Sequence, residues 1–135
     1  MMETLANFIN GQFSDPNSGN YLDVFEPATG QVYAKVPDSN EDDINTAIEA
    51  AEKAFYDWSV TSSEERSGFL HKIADGIETS LDELAEYESR DTGKPLSLAK
   101  TVDIPRAVTN FRFFANLVLD HETEEIFDGQ GSVNR

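Results

Sequence analysis

Residues 88–114 read ESRDTGKPLSLAKTVDIPRAVTNFRFF, and the stretch DTGKP at residues 91–95 is the sharpest chain reversal in the sequence. This stretch predicts the end of a helix, because Gly93 can adopt the left-handed conformation that closes helices and Pro95 cannot continue the hydrogen-bond ladder. Pro95 also stands where a new helix can begin. The rest of the chain is therefore organised around two helices that meet at this turn.

The second helix is predicted from about residue 103 to residue 119. Asp103 is the expected N-cap, since its carboxylate can accept hydrogen bonds from the unpaired N–H groups of the first turn. Pro105 then falls in that first turn, where its missing donor costs nothing. The apolar residues that recur at helical spacing are Ile104, Val108, Phe111, Ala115 and Val118, and Phe114 widens this stripe.

Arg106 is unusual in this predicted helix. A cation in the first turn opposes the helix dipole by about 0.3–1 kcal/mol, so a nearby anion is expected to offset that cost. One candidate is Asp103, one turn back, and the other is the carboxylate of a ligand, which guanidinium binds bidentately. The local sequence favours Asp103 and leaves the ligand as the alternative.

Short strands are predicted before the helices. Asn10-Gly11 is a dipeptide typical of two-residue β-hairpins, and it lies between short apolar pieces. Residues 21–25 and 31–36 read as two further strands joined by a turn at residues 27–30. The expected fold class is α/β, with strands over about residues 7–36 and helices over about residues 40–120.

Two capping patterns mark the predicted helix starts between these strands and the turn at Gly93. Ser39 with Asp42 resembles a capping box, and apolar residues from Ile44 to Trp58 follow at helical spacing. Ser62 with Glu65 repeats the pattern. Ser80 with Glu83 forms a third such pair inside the following apolar run, so we expect that helix to break near Thr79.

The composition excludes several classes of function. The 135 residues form at most one domain, and a net charge of -16, from 26 acidic against 10 basic residues, disfavours nucleic acid and anionic membrane surfaces as partners. No cysteine is present, which excludes disulfides, thiolate metal sites and a cysteine nucleophile within these residues. No secretory signal or long apolar run is found, so a cytoplasmic location is expected.

No catalytic constellation stands out within the chain. His71 and His121 lie far apart and lack carboxylates at metal-ligand spacing, which favours ordinary structural histidines. Gly11, Gly19, Gly30 and Gly93 are isolated, so no G-x-G-x-x-G or P-loop motif is available to hold a phosphate. The many adjacent acidic residues lie on charged helix faces, where nothing would separate their pKa values.

Several motifs nevertheless occur in an order that resembles the N-terminal quarter of an aldehyde dehydrogenase. The motifs are Asn7-Phe8-Ile9-Asn10-Gly11, Glu26-Pro27-Ala28-Thr29-Gly30, Ala50-Ala51 with Phe55-Tyr56-Asp57-Trp58, Glu65-Arg66 and Asp91-Thr92-Gly93-Lys94-Pro95. The resemblance implies that residues 1–135 are the N-terminal part of an NAD(P)-binding domain, without its Rossmann sheet. It also implies a small-molecule aldehyde substrate, NAD or NADP as cofactor, and a parent enzyme that is a dimer or tetramer.

The catalytic residues of this family are expected elsewhere than in these residues. The family uses a cysteine nucleophile, a glutamate base and an oxyanion-hole asparagine, and the resemblance places all three beyond Arg135. The 135 residues alone are therefore expected to be inactive, with neither a catalytic residue nor a cofactor site of their own. They are also expected to expose the apolar helix faces that meet the Rossmann sheet in the family.

Residues 103–114 (DIPRAVTNFRFF) resemble the branch of the family that oxidises muconic semialdehydes. In that branch this helix lines the substrate tunnel, which implies that Arg106 binds the substrate carboxylate and that Asn110 shares its wall. For Phe114, core packing is expected to outweigh a place in the tunnel. The resemblance further implies that backbone carbonyls near Val24-Phe25 and Asp91 hold a monovalent cation, as in some members.

Two alternatives remain open. In an aliphatic or betaine-type aldehyde dehydrogenase, Arg106 would only pair with Asp103. The chain could instead be a non-catalytic acidic interaction module derived from such an enzyme. A module should close its last strand, whereas residues 132–135 look like a strand that has only begun.

Overall fold

The computed structural model describes residues 3–120, 125–126 and 133–134, and the fold is α/β as predicted. The strands are β1 (Glu3–Thr4), β2 (Asn7–Ile9), β3 (Gln12–Ser14), β4 (Tyr21–Glu26), β5 (Gln31–Pro37), β6 (Glu125–Ile126) and β7 (Val133–Asn134). The helices are α1 (Glu41–Ser59), α2 (Ser63–Thr79), α3 (Leu81–Thr92), α4 (Leu96–Leu98) and α5 (Ile104–Asp120), and a π-helical turn (Ala99–Asp103) joins α4 to α5.

The predicted strands form, together with two strands that were missed, β1 and β6. β2 and β3 pair as an antiparallel hairpin around Asn10 and Gly11, whose φ angles of 51° and 75° fit a tight two-residue turn. β4 and β5 pair antiparallel, and β1 adds to β5 in parallel. β1 is only two residues long, too short for its residues to show a strand pattern. The end of the chain pairs too, with β6 antiparallel to β7.

The observed helix starts agree with the predicted capping patterns, apart from the identity of the cap at α1 and the missing cap bond at Ser80. The N-cap of α1 is Asn40 rather than Ser39, and its partner is Asp43, so the capping box lies one residue later than predicted. Ser62 caps α2 as expected, accepting from the N–H of Glu65 at 3.2 Å. The predicted break is confirmed at Ser80, although the Ser80 side chain makes no capping hydrogen bond.

The prediction that Asp103 caps a helix is wrong. The helical run starts at Leu96, directly after Pro95, and Asp103 is the last residue of the π-helical turn inside it. Pro105 explains this arrangement, because it has no N–H to bond the carbonyl four residues back and a widened turn accommodates the missing bond. Arg106 therefore lies well inside a helical run, where the dipole of a first turn does not act on it.

The buried core consists mostly of small side chains. Val108 and Ala115 on α5 are 5% and 0% exposed, and Ala74 on the packed face of α2 is 0% exposed. The predicted apolar stripe of α5 is confirmed for Ile104, Phe111 and Val118, which are at least half-buried, whereas Phe114, expected to widen it, is exposed. Among the described residues, no large side chain is fully buried.

Large apolar side chains are exposed instead, as expected. α1 has no buried residue, although it is amphipathic. Its exposed apolar side chains include Ile44, Ile48, Phe55, Tyr56 and Trp58, and the hairpin adds Phe8 and Phe13. Contiguous apolar surface of this kind normally meets another protein surface. No helix among the described residues is long and apolar enough to cross a membrane.

Gly93 joins the helices to the sheet. It ends α3 in the left-handed conformation, with φ 75°, and its N–H donates to the carbonyl of Ser89. A Cβ at this position would lie 3.0 Å from the Cβ of Pro27 in the β4–β5 turn. Both the backbone angle and the contact therefore require glycine here.

We expect Gly93→Ala to lower the free energy of unfolding by about 1–2 kcal/mol, because a Cβ strains the left-handed backbone. Gly76→Ala is the matched control, since Gly76 lies within α2 and a Cβ there meets nothing within 4 Å. That control should gain about 0.4–1 kcal/mol. Urea unfolding followed by circular dichroism measures both, and equal effects of the two changes would contradict this account of Gly93.

We expect the 135-residue chain to self-associate and to bind the dye ANS through the exposed face of α1. Replacing Ile48 and Phe55 with serine should weaken both properties, because these side chains are 50% and 63% exposed. Asn45→Ser, on the same helix, is the control and should change neither. Light scattering that shows a monomer without ANS binding in the unchanged chain would refute the expectation.

Candidate functional site

One face of α5 is left uncovered by the rest of the chain. It carries Arg106, Asn110, Phe113, Phe114 and Leu117, all exposed and spaced at helical intervals. We call this set the Arg106 face. The buried residues Val108 and Ala115 lie on the other side, where α5 packs on α2, so this packing determines which way Arg106 points.

The guanidinium of Arg106 has no carboxylate partner among residues 3–119. The local sequence favoured Asp103 as that partner, which is wrong, whereas the substrate carboxylate implied by the resemblance stays a prediction. Asp103 Oδ2 instead accepts from Lys94 Nζ at 3.0 Å. Helical spacing made the pair with Arg106 look natural, but the turn at Gly93 brings a competing cation to Asp103 from outside the helix.

Lys94 lies at the centre of a small ionic cluster. Its Nζ donates to Glu88 Oε1 and to Asp103 Oδ2, both at 3.0 Å, and these partners raise the pKa of Lys94, with Asp103 contributing most. The Ser89 hydroxyl donates to the carbonyl of Lys94 at 2.7 Å. The cluster thus ties the Gly93 turn both to α3 and to the π-helical turn that leads into α5.

Phe114 is not a core residue, contrary to the sequence-based expectation. Its side chain is 56% exposed, and its ring meets that of Phe113 edge-on with centroids 5.2 Å apart. An edge-on geometry suits the opposite polarity of ring edge and ring face. The two rings therefore form an exposed aromatic surface close to Asn110.

Arg112 shows the contrasting environment on the same helix. Its Nη2 donates to Asp75 Oδ1 at 3.0 Å and to Glu78 Oε2 at 2.7 Å, both on α2. These two hydrogen bonds of Arg112 thus stabilise the packing of α5 on α2. Nothing in its local sequence predicts these long-range pairs, because the carboxylates lie on another helix.

A cavity of about 640 Å³ lies between the three-stranded sheet and α3. Val24 and Asp91, from the two segments predicted to hold a monovalent cation, both line it. The carboxylate of Asp91 is already engaged, since Oδ1 accepts from the Tyr33 hydroxyl at 2.6 Å. Within residues 3–119 no group of three or more His, Asp or Glu side chains could hold a metal ion. The cation site stays a prediction.

The remaining candidates from the sequence are two histidines and several glycines. His71 is half-buried on α2, and His121 lies outside the described residues. Gly11, Gly19, Gly30 and Gly93 have positive φ angles, and each belongs to a turn or a helix end. Over the part of the chain that the structure describes, no glycine-rich loop precedes a helix.

Comparison with known proteins relates residues 13–134 to the profile "Aldehyde dehydrogenase family". The 2-aminomuconic semialdehyde dehydrogenase of Mus musculus is 53% identical over 120 residues, which are 89% of this chain and 24% of that protein. The 2-hydroxymuconic semialdehyde dehydrogenase of Pseudomonas sp. (strain CF600) is 41% identical over 138 residues, covering 98% and 28%.

Solved structures give the same relationship. The crystal structure of PnpE in complex with nicotinamide adenine dinucleotide superposes with a TM-score of 0.85 at 32% identity, covering 97% of this chain and 26% of that one. The fold described above is therefore that of the N-terminal portion of such structures. The chain spans about a quarter of the length of the relatives it matches.

We expect the hydrogen bond to Asp91 to be visible in the titration of Tyr33. The bond to this carboxylate is the largest cause that raises the pKa of Tyr33 from 10.0 to about 12. Because the folded-state pKa is raised, the bond stabilises the fold fully below pH 10 and this contribution is lost as the pH rises through 12.

Tyrosinate absorbance measured against pH tests this expectation. Tyr33→Phe should remove the latest of the four tyrosine steps, and Asp91→Asn should move that step towards 10. An unchanged titration curve in Asp91→Asn would contradict the role given to this carboxylate.

Proposed function

The chain belongs to the aldehyde dehydrogenase family, and we propose that it is the N-terminal quarter of an NAD(P)-dependent enzyme that oxidises a carboxylated semialdehyde of the muconic type to the acid. Support comes from its similarity to 2-aminomuconic and 2-hydroxymuconic semialdehyde dehydrogenases. The proposed parent enzyme is a dimer or tetramer, as is usual in the family.

The observation that carries this proposal is the environment of Arg106. Its guanidinium is exposed on α5 and has no ion-pair partner among residues 3–119, in an otherwise acidic chain. A muconic-type semialdehyde bears a carboxylate at the end remote from its aldehyde, and a guanidinium binds such a group through two parallel hydrogen bonds. We assign Arg106 as the group that binds this carboxylate.

Neighbouring residues on α5 would make further contacts with the substrate. Asn110 lies one turn beyond Arg106 on the same face and can hydrogen-bond a polar group of the substrate through its amide. Phe113 and Phe114 offer ring surface on which the flat unsaturated chain of a muconic compound can pack. These residues would bind and orient the substrate, and none of them takes part in the covalent steps.

The nicotinamide cofactor supplies the acceptor for the hydride when it is bound. The described residues carry no glycine-rich phosphate loop, so we assign none of them to it. The thiolate and base of the family likewise belong to no residue of this cysteine-free segment. The part that we assign to this chain is substrate recognition.

An enzyme for uncharged aliphatic aldehydes is the alternative within the family. In that case Arg106 would be neutralised by its own chain through Asp103. The pairing of Asp103 with Lys94 favours the carboxylate-binding role instead.

We expect Arg106→Ala in the full-length enzyme to raise the KM for a carboxylated semialdehyde by about tenfold or more, since a hydrogen-bonded charge is worth about 1.5–3 kcal/mol. Steady-state kinetics with an uncharged aliphatic aldehyde provides the first control and should show little change. Arg112→Ala is the second control, because Arg112 is occupied by α2. An unchanged KM for the carboxylated substrate in Arg106→Ala would overturn the assignment.

A further inference from the structure

Asp103 lies three residues before Arg106 in the same helical run. Residues three or four apart on a helix are neighbours on its surface, and an acidic and a basic side chain at this spacing attract each other. The carboxylate nevertheless bonds Lys94 Nζ at 3.0 Å, and Arg106 is left without it. Two cations therefore compete for one carboxylate, and Lys94 holds it.

We propose that Lys94 is a positioning residue for Arg106. By binding Asp103, it keeps the guanidinium from folding back onto its own helix and leaves it open to a substrate carboxylate. This inference rests on the proposed function, because it concerns the availability of Arg106 for that substrate.

The geometry around Lys94 favours such a role. Glu88 on α3 binds the same ammonium group at 3.0 Å, and the Ser89 hydroxyl bonds the carbonyl of Lys94 at 2.7 Å. The ammonium is therefore fixed from α3, independently of α5. The side chains of Lys94, Glu88 and Asp103 are 39%, 32% and 26% exposed, so water competes with these bonds less than at an open surface.

The π-helical turn contributes to the same arrangement. Asp103 is its last residue, and its side chain reaches the Gly93 turn rather than the next turn of α5. Lys100, in the same π-helical turn, pairs with Asp82 on α3 at 2.7 Å. The Lys100–Asp82 pair, together with the bridge from Asp103 through Lys94 to Glu88, thus holds this turn against α3, directly ahead of the residue that we assign to the substrate.

The expected effect of losing Lys94 is modest and specific. Without Lys94, substrate binding must first break an Asp103–Arg106 pair of the partly exposed kind, which corresponds to about a two- to fivefold rise in KM. This rise should appear only with the carboxylated semialdehyde. The kcat and the KM for an uncharged aliphatic aldehyde should stay unchanged.

The test uses steady-state kinetics of the full-length enzyme with both aldehydes. Lys94→Met should show the two- to fivefold rise, Lys94→Arg should show little of it, and the double variant Lys94→Met/Asp103→Asn should return to the original KM. Lys94→Met/Glu88→Gln is the matched control, because it restores the same net charge but leaves Asp103 ionised. This control should not restore the original KM. The comparison therefore separates the release of Arg106 from Asp103 from a general change in the electrostatic field.

The possible outcomes distinguish the role proposed for Lys94 from the proposed function on which it rests. If Arg106→Ala leaves the KM for the carboxylated substrate unchanged, the proposed function itself fails. If Arg106→Ala raises that KM but Asp103→Asn does not rescue Lys94→Met, or Glu88→Gln rescues it equally well, Lys94 is not a positioning residue. If Lys94→Met changes the KM for both aldehydes alike, the role of Lys94 is structural and the proposal is overturned. The same conclusion follows if Lys94→Met is unfolded by circular dichroism and Lys94→Arg also loses selectivity for the carboxylated aldehyde.

Discussion

Close packing of small side chains between α2 and α5 is the constraint on which the rest of the structure depends. Ser67 and Ala74 on α2 are buried seven residues apart, and so are Val108 and Ala115 on α5. Seven residues are close to two helical turns, so each pair lies on one stripe. Small residues on such stripes let two helices approach closely. Once this contact forms, the opposite side of α5, with Arg106 and Asn110, must face away from α2.

Some of the ion pairs stabilise the packing of α5, and one of them, between Lys94 and Asp103, leaves Arg106 without that carboxylate. Arg112 is taken up by two carboxylates of α2, and Lys94 and Lys100 are taken up near α3. These are partly exposed pairs, each worth little alone, so their main effect is on orientation rather than on stability. Of the two arginines on α5, Arg112 has such partners and Arg106 has none among residues 3–119, in a chain where acidic residues outnumber basic ones 26 to 10.

Local chemistry explains which features the sequence could predict. The Asn10-Gly11 hairpin, the cap at Ser62 and the end of α3 at Gly93 each depend on a few consecutive residues, and all three are confirmed. The pairing of Lys94 with Asp103 depends on a contact across the Gly93 turn, so sequence spacing pointed to Arg106 as the partner of Asp103 instead. The exposure of Phe114 was missed because helical periodicity identifies an apolar stripe but does not show how much of its width is buried. Arg106 and Asn110 came from resemblance and stay predictions as substrate ligands.

The widened turn at Ala99–Asp103 also bears on how this segment can vary in length. A π-helical turn holds one residue more than an α-helical turn, so losing one residue there can restore ordinary geometry and keep the rotational phase of α5. A residue lost between Ile104 and Arg106 would instead swing the guanidinium by about 100° around the helix axis. Deletions of one residue in descendants of this sequence should therefore be tolerated ahead of Ile104 and selected against behind it.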